Sequence, residues 1–260
     1  MIVKRYENTL GNSAVFSSSS LYLKCIKHLG KKHPYITQTW EVFAAQNQIL
    51  VVQEFANRND VSSFLKLKGK QNEQRVCEWA HQLYKALDYL GDMAICHRAI
   101  KPKNILLNHK ELSVRLTGFK NAVVYWNVAK EDISNLPCLP VSSKNRSNEP
   151  DFQAPEVFGN DEREEFDPIK ADLFSYGAVI FSMITIFDYP FNWKVDNMKV
   201  EDEIRNSVQK LDISEEGKSF LNSLLTTNAI VRLTFDKINS NPWFALLKHD
   251  NVVSSLQKLA

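Results

Sequence analysis

Several features are scarce in this sequence, and each scarcity removes a class of protein. The four cysteines, Cys25, Cys77, Cys96 and Cys138, are scattered. None has the paired spacing of a zinc or redox site, so reduced thiols in a cytosolic protein, or a nuclear one, are expected. The opening "MIVKRYENTL" lacks the apolar run of a secretion signal, which argues against export. Charge of one sign is also missing. The formal net charge is +2 and the pI is near 8.2, so there is no electrostatic footprint for nucleic acid. The locally basic "KLKGK" reads as a solvated surface turn. The densest apolar run lies in "LFSYGAVIFSMITIFDYPF", from Leu173 to the stop at Asp188 and Pro190. It is nearer to about 15 residues than the roughly 20 a membrane span needs, and a central core helix is predicted instead. No repeat or low-complexity tract occurs beyond "SSSS" at residues 17–20.

What remains is ordinary for a soluble globular protein: 260 residues, 44% hydrophobic and 24% charged. That length supports one large domain or two lobes with a substantial core. "MIVKRY" reads as a strand, followed by a helix with Leu21, Cys25 and Leu29 on one face, stopped by Gly30 and Pro34. "ITQTWEVFAA" and "QILVVQEFA" read as two further strands, the second apolar enough for burial on both faces. From Gln71 the period becomes helical, with Val76, Trp79, Leu83, Leu87 and Leu90 on one stripe. Strands are predicted at "NILLN" and "SVRLTG". A long irregular loop with Pro137, Pro140 and Pro150 is predicted over residues 120–152, and helices cover most of the rest. This is an α+β pattern: a small strand-bearing lobe (residues 1–58), a larger helical lobe (59–244) and a tail helix (245–260), with the join near residues 57–62.

The chemistry concentrates in "AICHRAIKPKNILLNHKEL", residues 94–112. His97, Arg98, Lys101 and Asn104 stand at tight spacing between an apolar lead-in and an apolar strand, with Ala99 where an acid would complete a phosphate-transfer centre. "HRAIKPKNILL", "QAPEVF", "ADLFSYG" and "VRLTFDKINSNPWF" follow one another in the order of four landmarks of the eukaryotic protein kinases. These are the catalytic loop, the end of the activation segment, the start of the central large-lobe helix and the closing helix. The chain resembles that family over residues 2–244, in flavour closest to the calmodulin-dependent kinase group and its testis-specific serine kinase branch. The resemblance implies a bilobal kinase-like fold with a reduced N-terminal β lobe, in which the first strands and the glycine-rich loop are missing.

The same resemblance implies a depleted reaction centre. Lys4 matches the strand lysine that pairs with phosphates, and Lys24 falls where its glutamate partner belongs, turning an attraction into a repulsion. Ala99 replaces the aspartate that orients the substrate hydroxyl and takes its proton. Gly118, Phe119 and Lys120 replace the metal-binding Asp-Phe-Gly. Mg²⁺ requires oxygen ligands, carboxylates above all, so no metal ligand and no cofactor is expected, and ATP binding stands in question. Losing a positioned general base alone typically costs roughly 10²- to 10⁴-fold in rate. Lys101 and Asn104 remain as remnants of the nucleotide site, and Lys120 offers an ammonium that could neutralise phosphates without metal. The other matching residues are structural. Glu156 pairs with Arg232, Asp172 anchors the catalytic-loop backbone, and His97 packs rather than acts as a base. Arg98 holds a phosphate or an acid in the long loop, or serves the scaffold.

The reading is therefore a catalytically inactive kinase-like domain, a pseudokinase that binds proteins as a scaffold or regulator in signalling. One alternative is a divergent Ser/Thr kinase using Lys4, Lys101 and Asn104 with an unconventional base; another is a metal-independent nucleotide-binding switch. The expected partners are other proteins, kinases among them, and neither nucleic acid nor membrane. "PVSSKNRSNEP" in the long loop presents hydroxyls to another kinase. The C-terminal "NPWFALLKHDNVVSSLQKLA" places Trp243, Leu247, Val252 or Val253, and Leu256 on one helical face. Such a face suits a calmodulin-like groove, but its charge is weak, with Asp250 in the middle, and packing onto the domain itself is the favoured reading.

Overall fold

The structure, a computed structural model, describes residues 2–7, 29, 33–45, 48–55, 59–108, 112–119, 122–124, 152–158, 166–186, 188–190 and 197–247. The smaller lobe is an antiparallel sheet of β1 (Ile2–Glu7), β2 (Thr39–Ala45) and β3 (Gln48–Gln53) in the order β1-β3-β2. The central position falls to "QILVVQ", whose β-branched residues suit a strand covered on both faces. Neighbours Val51 and Val52 point to opposite faces and both are buried. At its end Gln53 and Thr39 lie opposite one another, and Gln53 Nε2 donates to Thr39 Oγ1 at 2.9 Å, which satisfies two buried side chains. Of the helix expected around Leu21 and Cys25, only Leu29 lies within the described residues. It is helical and buried.

The larger lobe is helical, and its first helix is one that pattern reading does not supply. α1 (Val61–Lys68) begins at the end of the expected join over residues 57–62, and "KLKGK" is its largely exposed last turn and cap. Asp60 caps its start by accepting from Ser63 N, and the Gly69 N–H returns to Leu65 O at its end. Val61, Phe64 and Leu65 form a buried stripe too short to stand out as a period. α2 (Glu73–Asp92), capped by Asn72, buries all five stripe residues named above. α3 (Pro168–Thr185) begins five residues before Leu173, because Asp167 caps it and Pro168 suits its first turn. Its residues from 171 to 184 are buried all round, so the apolar run belongs to a core helix packed against α2 and α5 (Glu215–Leu225). α4 (Asn197–Gln209) and the short α6 (Phe235–Ile238) complete the lobe. No helix among the described residues is long and apolar enough to cross a membrane.

Four short strands line the junction: β4 (Ile95–Cys96), β5 (Ile105–Leu107), β6 (Val114–Leu116) and β7 (Val123–Val124). β5 pairs with β6 and β4 with β7. β7 corrects the expectation of an irregular loop from residue 120; residues 125–151 lie outside the described residues. The lobes are strapped together through β6. Leu116 N donates to Tyr35 O at 2.8 Å, Thr37 N donates to Leu116 O at 2.9 Å, and Arg115 pairs with Glu54 at 2.8 Å. Trp243 packs onto the domain itself, as the favoured of the two readings of its apolar face expects, and is a core residue. It is 1% exposed, lies beside Phe220 and donates from Nε1 to Glu73 at 2.8 Å. The described part of the tail is a 3-10 turn at Pro242–Ala245 with Leu246 and Leu247 against the core. The rest of the tail face, Val252, Val253 and Leu256, lies outside the described residues.

Candidate functional site

β4 delivers the chain to His97, and the next residues turn back on themselves. Arg98 takes a positive φ of 58°, and a 3-10 turn at Pro102–Asn104 leads into β5. A loop with so little regular structure needs an external anchor. Asp172 of α3 supplies it, accepting from His97 N at 2.6 Å and Arg98 N at 2.9 Å. Burial pushes the Asp172 carboxyl up to about 7, against the opposing pull of its two amide donors and the Arg98 charge.

Both ring nitrogens of His97 are committed. Nε2 lies 2.9 Å from Thr117 O, and Nδ1 accepts from Ala99 N at 3.2 Å. This arrangement selects the neutral ring with its proton on Nε2. Burial drives the imidazole down to about 4, and the ring meets Phe119 edge-on at 4.7 Å. His97 ties the loop to Thr117, just past the end of β6, and has no nitrogen left to take a substrate proton.

Asn104 and Gly118 face each other across this tie. Asn104 Nδ2 donates to Ala99 O at 2.8 Å, and Asn104 O accepts from Thr117 N at 2.9 Å. Gly118 has φ 87°, and an ideal Cβ there would lie 2.5 Å from Asn104 Oδ1. Lys101 is half-buried beside the loop, at the cap of the 3-10 turn. Lys4 sits on β1 opposite Val51 by its backbone, and its side chain is outside the described set. Lys24 and Lys120 lie outside the described residues.

The donor set does not fit the Mg²⁺ that kinase chemistry employs. A hard divalent cation requires converging oxygen ligands. Here position 99 offers a methyl group and position 118 offers nothing, so the Asn104 side-chain oxygen, with its Nδ2 bonded to the Ala99 carbonyl, is a single ligand without an acidic companion. Among the described residues no group of three His, Cys, Asp or Glu side chains could hold a metal.

Away from this centre, Glu156 and Arg232 come together although 76 residues apart. Arg232 Nη1 and Nη2 donate to the two carboxylate oxygens at 2.6 and 3.0 Å. The guanidinium also donates to Lys170 O and Thr226 O and lies 5.0 Å over the Phe174 ring. The site residues thus form two groups. His97, Arg98, Ala99, Asn104, Gly118 and Asp172 are brought together, and Glu156 with Arg232 forms a separate tie. Pattern reading missed Thr117, whose main chain bonds both His97 and Asn104, and the Glu54–Arg115 bridge. Neither carries a local signal, since main-chain groups are common to all residues and the bridge spans 61 positions.

Residues 18–244 match the protein kinase domain family, and the chain belongs to that family. Among curated relatives, it is 27% identical over 227 residues to "CBL-interacting protein kinase 26" of Oryza sativa subsp. japonica, covering 86% of this chain and 43% of that protein. It is 25% identical over 219 residues to "CBL-interacting protein kinase 11" of the same organism, with coverages of 82% and 40%. With "Serine/threonine-protein kinase SAPK4", also from rice, it shares 27% identity over 235 residues, covering 86% and 60%. The chain therefore spans between two fifths and three fifths of the length of these three relatives.

Proposed function

We propose that this kinase-fold domain does not transfer phosphate at a useful rate and works as a pseudokinase, binding other proteins as a scaffold or regulator in signalling. The supporting observation is the pair Ala99 and Gly118, with Asn104 bonded to one and filling the space beside the other. Phosphoryl transfer depends on positioning and on neutralising phosphate charge, and these two positions hold neither a base nor a metal ligand. The ties that hold the lobe together, Asp172 to the loop and Glu156 to Arg232, are intact. Retained architecture with depleted chemistry suits a binding role.

The second reading, a divergent Ser/Thr protein kinase, is favoured by the relatives, which carry that activity in their names. On that reading Lys4, Lys101 and Asn104 handle the nucleotide, and Lys120 supplies positive charge in place of metal. We place the protein in the cytoplasm or nucleus, with partners that are proteins, kinases or calmodulin-like proteins among them. A thermal-shift titration with ATP, with and without Mg²⁺, separates binding from chemistry. Ligand at 100 times its dissociation constant adds about 2.7 kcal/mol to the native state, and the pseudokinase reading expects no Mg²⁺-dependent shift. Transfer of radioactive phosphate from ATP to a peptide, abolished by Lys4→Met, would establish the enzyme instead.

A further inference from the structure

We propose that Asn104 closes the metal position from inside: its amide fills the space a side chain at residue 118 would need, so the missing acid and the placement of Asn104 are one coupled change. This deepens the pseudokinase reading and rests on it. An ideal Cβ on Gly118 lies 2.5 Å from Asn104 Oδ1 and 2.6 Å from Nδ2, with Cγ closer still, whereas real Cβ contacts essentially never fall under 3.0 Å. All three obstructing atoms belong to the end of the Asn104 side chain, so the overlap is relieved only if that side chain swings away from the bond that holds it.

The amide is also held where it is. Nδ2 donates to Ala99 O at 2.8 Å, and the Asn104 main chain is bonded on both sides, its N–H to Lys101 O at 2.8 Å and its carbonyl to Thr117 N at 2.9 Å. Rotating the side chain outward breaks the Ala99 bond. Shifting the backbone disturbs the β5–β6 pairing that starts at Ile105 and Leu116. An aspartate restored at position 118 would have to evict the neighbouring oxygen donor before the two could share a cation.

Two effects operate at position 118 and can be separated. A φ of 87° disfavours any β-carbon, whatever stands at position 104. The overlap with the amide operates only while Asn104 is present. The test is a double-mutant cycle read as thermal unfolding midpoints, with no nucleotide, on the wild type, Gly118→Ala, Asn104→Ala and the double variant. Gly118→Ala is expected to lower the midpoint by more than about 5 °C beside Asn104, and by less than half as much in the Asn104→Ala background. Equal losses in the two backgrounds overturn the proposal. If Gly118→Ala yields no folded protein, the added Asn104→Ala is expected to restore it. An unfolded double variant beside a folded Asn104→Ala protein overturns the proposal as well. Asn104→Ser takes the same place in the cycle if Asn104→Ala does not fold. Phosphotransfer by the wild type would sink the pseudokinase reading and leave the outcome of this cycle unchanged, so the two failures are distinguishable.

Discussion

Arg232, fully buried, meets Glu156 in a two-pronged ion pair at 2.6 and 3.0 Å. The pair fastens the segment before α3 to the turn after α5. Removing the acid leaves a buried cation whose remaining partners are the carbonyls of Lys170 and Thr226. Glu156→Ala is therefore expected to cost about 3 kcal/mol, the low end for a broken buried pair because those carbonyls persist. Urea unfolding measures it. A loss below about 1 kcal/mol would place the pair with ordinary surface bridges.

Asp172 and His97 give the stability a pH dependence of worked-out sign. Native Asp172 keeps its proton up to about 7, against an ordinary value of 3.8, so over that window the native state binds more protons and this contribution fades as pH rises. His97 runs the other way: its pKa is lowered from 6.5 to about 4, and its contribution is lost as pH falls through that window. The two oppose each other between about 4 and 6.5, each with a slope of at most about 1.4 kcal/mol per pH unit. Asp172→Asn removes one of them. The stability gap between wild type and variant is expected to be larger at pH 5 than at pH 7 in denaturant titrations. A gap that grows with pH would mean that the two amide donors dominate and hold the carboxylate ionised.

Trp243 joins α2 to the end of the domain through Glu73, which also accepts from the Ser214 backbone and hydroxyl at the start of α5. Trp243→Phe keeps the ring and drops the donor, an expected loss of about 1–2 kcal/mol. Trp243→Ala empties a fully buried site and is expected to cost roughly 3–5 kcal/mol. A calmodulin-like groove that requires this ring would bind the isolated peptide of residues 241–260 and not the folded chain. Calorimetry on both decides it.

Gly177 sets local helix preference against packing. Alanine is the better helix former by about 1 kcal/mol. A Cβ at this position on α3 would stand 2.8 Å from Leu224 Cβ and 3.2 Å from Leu225 Cδ2 on α5. A Cβ fixed to its own backbone yields little, so overpacking of about 1–3 kcal/mol prevails. Gly177→Ala is expected to unfold at lower denaturant; a rise in midpoint would show that α3 and α5 can separate without loss.

Much of the fold was legible because long amphipathic periods and short motifs are local. The stripe from Val76 to Leu90 recorded α2, and the apolar run from Leu173 recorded the core of α3, though only the Asp167–Pro168 cap marked its start. α1 escaped because four apolar residues in eight, one of them the exposed Leu67, make no clear period. β7 escaped because a two-residue strand exists only through its partner β4. The Trp243 face was ambiguous for a different reason: an apolar stripe is the same whether the domain or a partner covers it.

The order of residues by itself determined which functional groups can exist at the reaction centre. No carboxylate stands at positions 99 or 118, and no folding can supply one there. Tertiary structure decided what those positions do instead. It brought the Asn104 amide against Gly118, committed both nitrogens of His97 and placed Asp172 out of water under two backbone amides. Apart from the local bond from Ala99 N to His97, these outcomes depend on burial and on contacts between residues 14 to 75 positions apart, which are properties of the packed chain and not of any segment of it.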